Sequence, residues 1–258
     1  MAGPVLVFDS GVGGLSVVRS LRQHLPETAM AYCCDNAMMP YGIRPDDWLV
    51  QRIVAVCAAA VDATSADTLV VACNTASTLA LNELRERLAL PVVGTVPAIK
   101  PAALASRSGC LALLATSATV SRPYTQRLID SYAPHCRVKK VAADALVTQA
   151  EHQLAGRAVD LEVVRHALAP LIDDPLVDTV VLGCTHFPLL LPWLDEVMPR
   201  AITWIDSGDA IARRTVQVMQ QPDARQGAQC AWLTASSPAL EPGLSRFGFD
   251  AVRQLPTV

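Results

Sequence analysis

Short apolar runs recur along the chain and alternate with longer amphipathic stretches. Runs such as "VLVF", "TLVVA", "LALLA" and "TVVLG" carry no charge and are too short for core helices, so they read as strands buried on both faces. Nine strands are predicted on this basis: Val5–Phe8, Ala29–Cys33, Thr68–Ala72, Val92–Gly94, Cys110–Ala115, Val138–Ala142, Asp178–Gly183, Ile202–Asp206 and Cys230–Thr234. Helical stretches between them include Leu15–His24, Asp46–Thr64, Thr75–Leu88, Thr119–Tyr132, Asp160–Ile172 and Asp209–Gln220. Such alternation predicts α/β architecture with largely parallel sheets and right-handed crossovers.

An internal repeat divides the chain further. "TLVVACNTAST" and "TVVLGCTHFPL" share a threonine, an apolar run, a cysteine and then hydroxyl-bearing residues, with Cys73 and Cys184 lying 111 positions apart. "VLVFDSGVGGLSVVRSL" and "LALLATSATVSRPYTQRL" are each strand, polar turn and helix, and they place Asp9 and Thr116 107 positions apart. Two similar offsets suggest two related halves, each presenting turns at its strand ends. Ligands of α/β sheets bind beyond the carboxyl ends of the strands. A cleft between two such halves would therefore carry a cysteine on each wall. No low-complexity linker is present, and the proline-bearing "VGTVPAIKPA" is the best boundary.

Composition narrows the function. The chain has 258 residues, 52% hydrophobic and 17% charged, enough for a packed core and wrong for disorder. Net charge is -3, and Lys100, Lys139 and Lys140 are the three lysines among 21 basic residues. With no basic run, a nucleic-acid groove is not expected. The start "MAGPVLVFDS" lacks the features of a secretory signal, and the apolar runs are too short to span a bilayer. A soluble, cytoplasmic protein is expected. The eight cysteines are scattered without a C-x-x-C pair, so they are expected to be reduced and mostly buried.

The candidate chemistry sits at the strand ends. Asp9 opens "DSGVGG", whose glycines allow a tight turn and close backbone approach. The dinucleotide pattern fails, because Ser16 stands where its last glycine belongs. Cys73 ends a strand just before a helix, where free amides and the dipole favour a thiolate. Asn74 and Thr75 are either caps of that helix or neutral donors to a substrate carboxylate. Cys184 has the same expected placement, with "THFP" opening the next helix, and His186 lies two residues away. A metal site would need a fourth ligand beyond a Cys-x-His pair and one remote cysteine. A Cys-His hydrolase would leave the second cysteine without a task. Two opposed thiols suit proton removal from one face of a carbon and delivery to the other, which inverts a stereocentre.

"FDSGVGGLSV", "DNAMMPYG", "ACNTAS", "ATSATVS", "LGCTHFPLL" and "IDSG", spread from Phe8 to Gly208, together resemble the glutamate racemases of the wider aspartate/glutamate racemase superfamily. That resemblance implies two similar, pseudo-symmetric α/β domains with the active site in the cleft between them. It places the first domain at 1–97 plus 207–258 and the second at 98–206. It also implies cofactor-independent interconversion of L- and D-glutamate for peptidoglycan, with Cys73 and Cys184 as the two bases. Asp9 would assist Cys73, and His186 would assist Cys184. Ser10, Tyr41, Gly42, Asn74, Thr75 and Thr185 match positions that hold the amino acid, and Thr116 and Thr119 match threonines facing the same cleft.

The sequence departs from the family pattern in two places. "VTQAEHQLAG" lacks the proline and glycine spacing usual around the family's acid, for which Glu151 is the equivalent. Met38 and Met39 stand where a basic residue is common. The expected partner is the small-molecule substrate glutamate, with no nucleic acid or membrane, and a homodimer is left open. No cofactor is expected: Lys100 is the lysine nearest a loop, and no motif of a pyridoxal site surrounds it. The alternatives are an aspartate racemase, a decarboxylase of the same superfamily, or a non-catalytic protein that binds and inhibits a DNA topoisomerase.

Overall fold

The computed structural model describes residues 3–219 and 229–256. Its strands are β1 (Val5–Asp9), β2 (Met30–Cys34), β3 (Thr68–Val71), β4 (Val92–Gly94), β5 (Cys110–Ala115), β6 (Arg137–Ala142), β7 (Thr179–Leu182), β8 (Thr203–Ile205), β9 (Cys230–Leu233) and β10 (Ala251–Gln254). They form two sheets, ordered β10-β9-β2-β1-β3-β4 and β6-β5-β7-β8. Every pairing is parallel. The order β2-β1-β3-β4 in the first sheet is matched by β6-β5-β7-β8 in the second. The repeat seen in the sequence is therefore a repeat of topology, with β1 equivalent to β5 and β3 to β7.

Strand residues alternate between two cores. Val5 and Val7 of β1, with Ala112 and Leu114 of β5, join one large apolar cluster that runs through both halves. Leu6 and Phe8 face the helices Asp46–Thr64 and Asn74–Arg87 instead. Leu111 and Leu113 face the helices Ile99–Ala105 and Pro123–Tyr132. A strand buried on both faces reads as an unbroken apolar run, which is why these segments stand out in the sequence. Each fully buried Val, Leu or Phe contributes roughly 1.5–3 kcal/mol.

The structure corrects two local expectations and adds elements to those predicted. The stretch Thr119–Tyr132 is two helices, Ser117–Ser121 and Pro123–Tyr132. Pro123 lacks an N–H and excludes helical geometry from the residue before it, and Arg122 is extended at φ -68, ψ 135. The segment after Cys184 does not open an α-helix. Phe187–Leu190 form a 3-10 turn, and the α-helix begins at Leu191. β10 lies outside the predicted set because "AVRQ" is largely exposed and pairs only with β9, so it carries no apolar run. The helix Asp144–Leu154 is also outside that set, although Leu146, Ala150 and Leu154 lie on one buried face. The expected helix end at Gln220 falls outside the described residues.

Candidate active site

Parallel strands bring their carboxyl ends to one edge of each sheet, and these edges share a cavity of about 480 Å³. Asp9 ends β1, and Cys73 lies two residues beyond β3. In the second half, Thr116 follows β5 and Cys184 lies two residues beyond β7. All four residues line the cavity. The turn after β1 runs close against the opposite half. A Cβ on Gly11 would lie 2.4 Å from Glu151 Oε1, and one on Gly13 would lie 2.4 Å from Thr185 Oγ1. Only glycine permits that approach, so "DSGVGG" serves here as a packing surface.

Cys73 is 6% exposed and occupies the N-cap position of the Asn74–Arg87 helix. Its Sγ lies 3.5 Å from Ser10 Oγ. Ser10 in turn donates to Asp9 Oδ1, from its amide at 2.6 Å and its hydroxyl at 3.2 Å. Asp9 therefore reaches Cys73 through Ser10 rather than directly. Its other oxygen, Oδ2, accepts from Thr185 Oγ1 across the cleft at 2.9 Å. Burial, then the neighbouring Asp9 charge, pushes the Cys73 thiol up to about 12, against donors that include the Ala76 amide of the first helical turn. Burial also raises Asp9, opposed by His186, Thr185 and the Ser10 amide.

Cys184 is 9% exposed and lies beside a different partner. Its Sγ is 3.7 Å from His186 Nδ1, while His186 Nε2 is 2.8 Å from Glu151 Oε1. The same Glu151 oxygen accepts from the Val12 amide at 2.9 Å. Burial works against a charged imidazole, but Cys184 and Glu151 on its two nitrogens raise His186 well above its ordinary value. A thiol, an imidazole and a carboxylate thus form one chain of partners, an arrangement able to hold or release a proton at sulfur.

The remaining expected residues fall around the same space. Ser10, Tyr41, Gly42, Asn74, Thr75, Thr119, Thr185 and His186 line the cavity, whereas Glu151 stands behind His186 and is not part of the wall. Asn74 Oδ1 is buried with no hydrogen-bond partner. The Thr116 and Thr119 hydroxyls are 3.2 Å apart. The Tyr41 hydroxyl donates to Asp35 Oδ2 at 2.8 Å, so Tyr41 offers the cavity its ring and backbone. Among the described residues, the cavity wall includes no arginine or lysine, and neutral donors dominate its polar groups.

Sequence reasoning missed Met39, Ser117, Asp144 and Thr148, which also line the cavity. Asp144 accepts from the Ser117 amide at 3.1 Å and also from the Ser117 hydroxyl, tying two segments of the second half together. The signal for Asp144 is an acid opening an amphipathic segment, the usual start of a helix. Among the described residues, no three His, Cys, Asp or Glu side chains are grouped to hold a metal ion. No helix there is long and apolar enough to cross a membrane. All eight cysteines are free, with Cys110 and Cys136 half-buried and the rest buried.

Two duplicated α/β halves with opposed thiols define a class of cleft enzyme, and the comparisons narrow that class. Residues 15–215 match the model of the Asp/Glu/hydantoin racemase family. The chain is 48% identical to the glutamate racemase of Klebsiella pneumoniae (strain 342), over 98% of this chain and 92% of that protein. Among solved structures, it resembles Escherichia coli glutamate racemase in complex with L-glutamate and the activator UDP-MurNAc-ala. The TM-score is 0.95 at 43% identity, with 100% of each chain covered. A glutamate racemase isoform from Bacillus anthracis gives 0.82 at 28% identity, covering 98% of this chain and 97% of that one. The chain therefore belongs to the Asp/Glu/hydantoin racemase family, among its glutamate racemases, and is an isomerase by class.

Proposed function

We propose that this protein interconverts L- and D-glutamate without a cofactor by a two-base mechanism using Cys73 and Cys184, and that its D-glutamate serves peptidoglycan synthesis. The observation that carries the mechanism is the pair of thiols at equivalent strand ends on a single cavity. One thiolate removes the α-hydrogen as a proton, leaving the electron pair on the α-carbon and its carboxylate. The opposite thiol then delivers its own proton to the other face. Each turnover thereby exchanges thiol and thiolate between the two walls.

The roles follow from the partners. Asp9, through Ser10, tunes Cys73, while His186, backed by Glu151, tunes Cys184. Asn74, Thr75, Thr116, Thr119 and Thr185 hold the substrate's carboxylates and ammonium, with the Tyr41–Gly42 backbone closing one wall. Neutral donors suit this task, because a permanently charged arginine or lysine beside Cys73 or Cys184 would lock its thiolate, whereas the His186 imidazole beside Cys184 can give up its proton. The proposed division into 1–97 with 207–258, and 98–206, is supported by β9 and β10 joining the first sheet beside β2. Purified protein incubated with L-glutamate should form D-glutamate at equal rates before and after dialysis against chelator, without added pyridoxal phosphate. Activity that is lost on dialysis and restored by zinc or pyridoxal phosphate contradicts the cofactor-independent mechanism.

A further inference from the structure

We propose that Asp35 is a positioning residue for the substrate-facing turn Tyr41–Gly42, which it ties to the end of strand β9. The inference deepens the proposed function and rests on it, since that function gives Tyr41–Gly42 a wall of the substrate site. Asp35 follows β2, is fully buried, and is not part of the cavity wall. Its Oδ2 accepts from the Tyr41 hydroxyl at 2.8 Å and Arg52 Nε at 3.0 Å. Its Oδ1 accepts from Arg52 Nη2 at 2.8 Å and Thr234 Oγ1 at 2.7 Å. Four donors saturate a carboxylate.

These donors come from three separate segments: the cavity turn, the Asp46–Thr64 helix and the residue after β9. Thr234 also accepts from the Ala37 amide at 3.1 Å, and Asn36 exchanges hydrogen bonds with the Ala235 backbone at 2.8 and 3.0 Å. The turn leaving β2 is thus stitched to the end of β9 just before the chain reaches the cavity. A buried ion pair is weak evidence for stability, because desolvation offsets much of its attraction, but it fixes geometry strongly. Burial works against the Asp35 charge, and its Arg52, Thr234 and Tyr41 donors outweigh that penalty and hold the carboxyl below its usual range. Across the cavity mouth, a Cβ on Gly42 would sit 3.1 Å from Ala118 Cβ. Even a small shift of the turn would therefore alter the fit between the two walls.

The test is steady-state kinetics on the full chain for Asp35→Asn, Tyr41→Phe and the double variant. Losing hydrogen bonds to a charged group, about 1.5–3 kcal/mol, corresponds to a KM for glutamate raised about 10- to 100-fold in Asp35→Asn. kcat should change less than about threefold, as expected for lost binding that is uniform between ground and transition states. The double variant should be no worse than Asp35→Asn alone, because both changes break the same tie. A purely structural role would instead lower the thermal midpoint and the active fraction, reducing kcat at unchanged KM. If Asp35→Asn does not fold, Thr234→Val supplies the same readout: a raised KM in the native background and none in Tyr41→Phe. Unchanged KM in these variants, or effects that multiply in the double variant, overturns the inference. Failure of the wild-type protein to racemise glutamate would overturn the proposed function instead.

Discussion

Cys73 and Cys184 follow equivalent strands and meet at one cavity, yet their immediate partners differ in kind. Cys73 caps a fourteen-residue helix and touches a serine hydroxyl, with a buried carboxylate one step further. Cys184 precedes a 3-10 turn and touches an imidazole backed by a carboxylate. On the first wall, burial and the Asp9 charge keep the proton on sulfur. On the second, Cys184 and Glu151 on its two ring nitrogens raise His186 above its ordinary value against the effect of burial. Duplication supplied the scaffold twice, and the turns after each strand then diverged. The two walls are therefore not equivalent: one sets a buried thiol beside a serine and a carboxylate, the other sets a thiol beside an imidazole.

Removing either sulfur perturbs this contrast most severely. Cys73→Ala or Cys184→Ala should each abolish racemisation, since one face then lacks its acid or base. Serine in either place should cost about 10²- to 10⁴-fold, the span of general acid–base effects. A serine variant near the wild-type rate removes that cysteine from the mechanism.

Asp9→Asn and His186→Asn should each lower turnover by about 10- to 10⁴-fold. The two enantiomers have equal free energies, so kcat/KM must stay the same in both directions in every variant. The asymmetry between walls must appear in kcat and KM separately. Each variant is expected to change the ratio of forward to reverse kcat, with the two ratios moving in opposite senses. Full activity in either variant excludes that residue, and ratios moving together remove the distinction between the walls.

A smaller effect isolates the Cys73 side. Between its ordinary value of 9.0 and about 12, the folded protein keeps the Cys73 proton while the unfolded chain loses it. The folded state binds more protons in that window, so its stability is full below pH 9.0 and falls as pH rises through it. Urea titrations in that range should show Cys73→Ser losing stability less steeply than wild type, by up to about 1.4 kcal/mol per pH unit. Equal slopes would mean that the Cys73 thiol titrates no higher in the folded protein than in the unfolded chain.

The smallest effect concerns the contact between the halves, where Arg122 makes two hydrogen bonds to Asp46 at 3.1 and 3.0 Å. Exposed pairs contribute about 0–1 kcal/mol, so Arg122→Gln should change kcat/KM less than about fivefold. A change of more than about tenfold would make this pair a gate for substrate entry rather than a surface contact.

The sequence carries most of the first wall and part of the second. Both cysteines stand at the ends of apolar runs, so the pair and its spacing are legible in the chain itself. The His186–Glu151 contact links positions 35 apart and depends on the helix Asp144–Leu154, whose small buried face leaves a weak periodic signal. The route from Asp9 to Cys73 through Ser10 is a matter of rotamers, which spacing does not encode. Asp35 reads as a turn residue because its partners Arg52 and Thr234 are brought to it only by the packing of a helix and a late strand. β10 is unreadable for a simpler reason, since an exposed edge strand needs no apolar alternation.

Whether two unlike thiols act on opposite faces of one carbon is tested most directly by the reaction in deuterated water. It is run under initial-rate conditions from each enantiomer, with α-deuterium measured in product and in remaining substrate. Two separate bases predict product carrying α-deuterium while the remaining substrate stays largely protiated, in both directions. Substantial return of the original hydrogen to the product would mean a single shared base, and would contradict the two-thiol mechanism.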